Sequence, residues 1–76
     1  MDKINVKILE IIESVENTGK KYSNIGDINK MFDYPLSDSE IKDRLKALRE
    51  KGCISTDESC NARLTPAASK FLQNKM

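Results

Sequence analysis

Wound as a helix, residues 37–51 (SDSEIKDRLKALREK) carry Ser39, Lys42, Asp43 and Lys46 outside the stripe formed by Ile41, Leu45 and Leu48. A lysine ammonium or a serine hydroxyl in such a place can donate to phosphate oxygens or base edges, and an aspartate can accept from cytosine N4. Asn61 and Arg63 form a second group of donors, and Lys20, Lys21 and Tyr22 a third, just ahead of a predicted helix start, where an anion is commonly held. All of this is hydrogen-bond and charge chemistry. Covalent catalysis has no foothold: histidine is absent, no glycine-rich phosphate loop occurs, and the carboxylates are scattered without a pair whose pKa values could be driven apart. An enzyme is therefore not expected, nor a cofactor. Cys53 and Cys60, seven residues apart with no histidine nearby, are a poor metal site. They are expected to be ordinary thiols, with redox sensing or an intermolecular bond as the alternative.

The same residues admit a plainer account. Asp38, Glu40 and Asp43 sit among the lysines, and Asp57 and Glu58 mark a later loop that holds no lysine, whereas a surface built to grip phosphate is usually basic. Charge runs of this kind are often just a solvated helix face or connector.

The elements that must position these groups follow from periodicity. Across Lys3–Asn17, Ile4, Ile8, Ile11 and Val15 recur at spacings of 4, 3 and 4, widened by Leu9 and Ile12, which predicts an amphipathic helix ended by Gly19. Ser23 is the expected cap of a second helix running to about Phe32, with Ile25, Ile28, Met31 and Phe32 inward and Gly26 weakening it. The run Asp33, Tyr34, Pro35, Leu36 breaks that helix. Ser37 and Glu40 then offer a reciprocal capping box for a third helix reaching about Lys51, acidic in its first turn, basic in its last, and closed by Gly52. Two short runs, 53–56 and 61–64, flank the tip 57–60, and placing Ile54 across from Leu64 leaves a loop of about three residues near Glu58–Cys60. In that register the cysteines are not cross-strand partners, so no disulfide is expected. Thr65 and Pro66 predict the start of a last helix carrying Ala67, Ala68, Phe71 and Leu72.

Composition bounds the rest. The chain has 76 residues, 38% apolar and 33% charged, and 13 Lys/Arg against 12 Asp/Glu give a formal net charge of +1. One domain over residues 1–76 is expected, and a chain of this size buries only about 60–65% of its unfolded surface. No apolar run approaches a membrane span and no signal peptide is visible, so a cytoplasmic location and no membrane partner are expected. Near-neutrality supplies no argument for nucleic acid by itself.

An isolated hairpin is marginal in water, so it must pack or project. Residues 36–72, LSDSEIKDRLKALREKGCISTDESCNARLTPAASKFL, resemble the recognition helix, wing and following helix of winged helix-turn-helix domains of the MarR type. The resemblance lies in a helix ending in leucine, charged residues and glycine, then a strand, then a return through Arg63-Leu64-Thr65-Pro66. It extends more loosely to 22–32. Asn29, Arg44, Ala68 and a longer turn at 33–36 depart from the pattern. The resemblance implies an α+β, mainly α winged helix-turn-helix fold in the order H1-H2-H3-β-β-H4, and a small sequence-specific DNA-binding protein, a transcription regulator. Helix 37–51 would enter the major groove of double-stranded DNA, with hairpin 53–64 as the wing. Its DNA contacts would come from Lys20, Lys21, Tyr22, Ser39, Lys42, Asp43, Lys46, Asn61 and Arg63. The flanking helices that such repressors use for ligand sensing are missing, so no small-molecule ligand is expected. Two half-sites call for a homodimer, with the first helix and the Phe71/Leu72 helix as candidate surfaces, unless the first helix's stripe is buried within the monomer. The alternative function is a winged-helix protein-protein interaction module without DNA binding, suggested by the acidic residues. A basic face spanning Lys20, Lys42, Lys46 and Arg63 would favour DNA, and an acidic one a protein.

Overall fold

The computed structural model describes residues 2–32, 36–68 and 72. Among these the order is α1 (Lys3–Asn17), α2 (Ile25–Asn29), α3 (Asp38–Glu50), β1 (Ile54–Thr56) and β2 (Ala62–Leu64), an α+β arrangement. The last helix expected from Pro66 falls mostly on residues outside those described. Ala68 N does close a turn on Thr65 O at 3.0 Å, while the Thr65 hydroxyl donates to Gly52 O at the end of α3. No described helix is long and apolar enough to cross a membrane.

The core is aliphatic. Ile8, Leu9, Ile11, Ile12 and Val15 of α1 are all buried, against Ile28 of α2, Ile41, Leu45 and Leu48 of α3, and Ile54 and Ala62 of the hairpin. Each fully buried Ile or Leu stabilises by about 1.5–3 kcal/mol relative to exposure. The apolar stripe of α1, wide enough by sequence to suggest a second copy, is taken up by the chain's own core. Phe71, the other residue offered for pairing, lies outside the described residues.

Capping follows the sequence at Ser37, Gly19 and Gly52, departs from it at Glu40 and Ser23, and adds Asp2, which the sequence reading did not single out. Asp2 Oδ1 accepts from Ile4 N at 2.8 Å, and Ser37 Oγ accepts from Glu40 N at 3.1 Å. Gly19 and Gly52 follow α1 and α3 with φ of +100° and +80°, a region that side chains disfavour. The Glu40 carboxylate, expected to reach back to Ser37, turns to Arg44 instead, taking Nε at 3.2 Å and Nη2 at 3.1 Å. Helix α2 is shorter than expected and is capped by Asn24, whose Oδ1 accepts from Asp27 N at 2.7 Å. Ser23 is drawn away from capping because its backbone bridges Ala62 in both directions at 2.8 Å, burying its side chain at the outer edge of β2. On the same edge, Leu64 N donates to Glu16 Oε2 at 3.0 Å. Met31, expected inward, is 45% exposed because α2 ends before reaching it.

Two of the four departures from the resembling pattern, Asn29 and Arg44, have defined partners in the fold. Asn29 ties the end of α2 to the approach to α3: its Nδ2 donates to Leu36 O at 2.8 Å and its Oδ1 accepts from Leu36 N at 3.4 Å. Arg44 reaches from α3 to the start of α1, contacting Asp2 Oδ2 at 3.1 Å and Asn5 Oδ1 at 3.3 Å as well as Glu40. These partners, Asp2 first, hold its guanidinium above its ordinary pKa.

Candidate nucleic-acid interface

The hairpin is antiparallel with Ile54 opposite Leu64, Ser55 opposite Arg63 and Thr56 opposite Ala62. Its tip is built by Asp57. Asp57 N donates to Asn61 O and Cys60 N to Asp57 O, both at 3.1 Å, leaving Glu58, Ser59 and Cys60 as the loop. Cys60 takes φ +63°, the left-handed residue that completes a three-residue hairpin loop. The Asp57 carboxylate accepts from Ser59 N at 2.9 Å, from Asn61 N at 3.0 Å and from Asn61 Nδ2 at 3.0 Å. The Asn61 contacts lead in lowering its pKa below the ordinary carboxylate value. Two residues considered for partner recognition thus have a structural occupation: Asp57 shapes the loop, and Asn61 is bonded to it.

Between α3 and this hairpin lies a cleft of about 250 Å³, lined by Lys42, Asp43, Lys46, Arg49, Thr56 and Cys60 over Leu45. Helix α3 brings its three cations there because 42, 46 and 49 step by 4 and 3, one face of a 3.6-residue helix. Gly52 then turns the chain so that β1 lies beside that face, and Arg49 Nη1 meets Thr56 Oγ1 at 3.5 Å. The ion pairs between two described residues are those of Lys20, with Asp27 at 3.2 Å, and of Arg44, with Asp2 and Glu40. Lys42, Lys46 and Arg49 are in none of them. Three cations converging on one cleft without a carboxylate partner repel one another and favour an anion between or above them. Asp43, at the same cleft, is also outside these pairs and subtracts from that field.

The residues expected to act together separate into groups. Lys42, Asp43 and Lys46 share the cleft. Tyr22 and Arg63 meet elsewhere, with the guanidinium carbon 5.9 Å from the ring centroid. Lys20 lines a different cleft, beside Thr18, Asp27 and Met31, where its ion pair lowers the Asp27 pKa. Ser39 and Lys21 are exposed. Arg49, read from the sequence only as a match to the helix dipole, joins the cleft set, and the 42/46/49 spacing was the signal for it. Thr56 and Cys60 join it only through folding. Cys53 is buried, which pushes its thiol up, and neither cysteine is bonded to another.

Compared with known proteins, the chain matches no protein family, no curated protein sequence and no solved structure at a significant level.

Proposed function

We propose that this chain is a small sequence-specific DNA-binding regulator of the winged helix-turn-helix kind, presenting α3 to the major groove with the β1–β2 hairpin as wing. The observation that carries the proposal is the set of cations, Lys42, Lys46 and Arg49, converging without carboxylate partners on the cleft beside the hairpin. Local charge, rather than the net charge of +1, is what a polyphosphate meets at contact distance, since distant charges are screened beyond about 10 Å at 0.1 M salt. Helices α2 and α3 pack together, and the Asn29–Leu36 bonds tie the end of α2 to the approach to α3, as a helix inserted into a groove needs a rigid support. A symmetric operator would be filled by two copies, and these must pair through surfaces other than the α1 stripe, which is buried.

Fluorescence anisotropy with a labelled random-sequence duplex, followed by selection of bound sequences, tests the proposal. Affinity should fall steeply with salt. Lys42→Ala and Lys46→Ala should each weaken binding by about 1 kcal/mol or more and lower the salt slope by about 1. Absence of duplex binding at low salt overturns the proposal. Capture of a specific protein partner in that case, lost on reversing Asp43 and Glu58, would replace it with an interaction module.

A further inference from the structure

Tyr22 and Met31 are the most exposed large apolar side chains among the described residues, and Tyr22, 41% exposed, does not stand alone. The double backbone bond between Ser23 and Ala62, 2.8 Å in each direction, fixes the segment just after α1 as an extra row on β2. Ser23 faces inward and is buried, so its neighbour Tyr22 is turned to the outer face of the hairpin. Arg63 follows Ala62 on the other side of that bridge and is exposed on the same face, paired across the hairpin with exposed Ser55. The register therefore sets the guanidinium over the tyrosine ring, at 5.9 Å from its centroid. Arg63 is in no ion pair among the described residues, and Asn61, the other donor expected on the wing, is held by Asp57.

We infer that Tyr22 is a positioning residue: its ring holds the Arg63 guanidinium extended over the outer face of the hairpin, ready to grip a DNA phosphate. The inference rests on the duplex-binding reading above and adds a second grip apart from the α3 cleft. An arginine free in solvent samples many rotamers and loses that freedom on binding a phosphate. A ring that already confines it reduces the loss, and the ring's π face attracts the cation without neutralising it, as a carboxylate would. Tyr22 thus acts through Arg63 and leaves the phosphate contact itself to the guanidinium.

A double-mutant cycle on duplex affinity, read together with its salt dependence, tests this. Arg63→Ala should weaken binding about 5- to 10-fold and lower the salt slope by about 1, because a phosphate contact is lost. Tyr22→Leu, which keeps apolar bulk but removes the π face, should weaken binding about 2- to 5-fold with the slope unchanged, because the contact still forms after ordering a freer side chain. Tyr22→Phe should bind as wild type does. In the Arg63→Ala background Tyr22→Leu should have no further effect. Equal losses from Tyr22→Leu in both backgrounds, or a Tyr22→Phe loss as large as that of Tyr22→Leu, would mean that the tyrosine meets DNA on its own and overturns the inference. So does wild-type affinity in Tyr22→Leu. Wild-type protein that binds no duplex at all overturns the functional proposal and this inference together, whereas binding that is indifferent to Tyr22 overturns the inference alone.

Discussion

Ser23 and Asn24 are adjacent polar residues that sequence reasoning would exchange, and substituting each with alanine should give opposite results. The Ser23 side chain is fully buried, and its Oγ has no hydrogen-bond partner among the described residues. A buried hydroxyl left without a partner costs about 1–3 kcal/mol of desolvation, so Ser23→Ala removes that penalty. It leaves a void about the size of one oxygen and keeps both backbone bonds to Ala62, which belong to the main chain. The net expectation is a change from neutral to about 1 kcal/mol stabilising. Asn24→Ala instead removes the 2.7 Å cap bond to Asp27 N on a helix of five residues that has no independent stability. That should cost about 1 kcal/mol, within the 0.5–2 kcal/mol usual for such caps. In a domain of this size 1 kcal/mol moves Tm by about 4–8 °C, well resolved by thermal or urea unfolding followed by circular dichroism. If Ser23→Ala loses 1 kcal/mol while Asn24→Ala is neutral, Ser23 is the cap after all, and the placement of the α1–α2 connector against β2 is wrong.

Cys60→Gly should stabilise by about 0.5–1 kcal/mol, because a non-glycine residue at φ +63° carries strain of about 1 kcal/mol that glycine lacks; a lower urea midpoint would contradict the loop geometry. Asn29→Ala should destabilise by about 1–2 kcal/mol through loss of its bonds to Leu36, and an unchanged midpoint would show that α2 is held to the approach to α3 by other contacts. The carboxylates of Asp2, Asp27 and Asp57 all lie below the ordinary pKa in the folded chain, chiefly through bonds from Ile4 N, Lys20 and Asn61 respectively. Their contribution is complete above the unfolded aspartate pKa and is lost as pH falls through the lower folded values, so the urea midpoint should hold near neutrality and drop below about pH 4. A midpoint equal at about pH 7 and pH 3 would remove that linkage.

The hairpin register was legible because Ile54 and Leu64 are the large apolar residues of two short runs around a polar tip, and slipping by one would have turned both to water. The α1 and α3 faces were legible because a 3.6-residue period is written directly in the spacing of Ile, Leu and Val. Of the candidate interface, Lys42 and Lys46 came from the same periodicity, and Arg49 completes their row although its place in the last turn suggested only a match to the helix dipole.

Local pattern by itself determined the start of α3 at Ser37, the ends of α1 and α3 at Gly19 and Gly52, and which side chains of α1 and α3 face inward, because these depend on neighbours within about one turn. Pairings between residues distant in sequence were decided by the tertiary structure alone. Ser23 leaves its capping role because Ala62 offers its main chain two bonds, Leu64 N finds the Glu16 carboxylate, and Arg44 reaches back across the fold to Asp2. Each of these groups had an equally good local partner or solvent available. What chose between them was which groups packing of the aliphatic core brought within hydrogen-bond distance, a consequence of the whole chain that no short window contains.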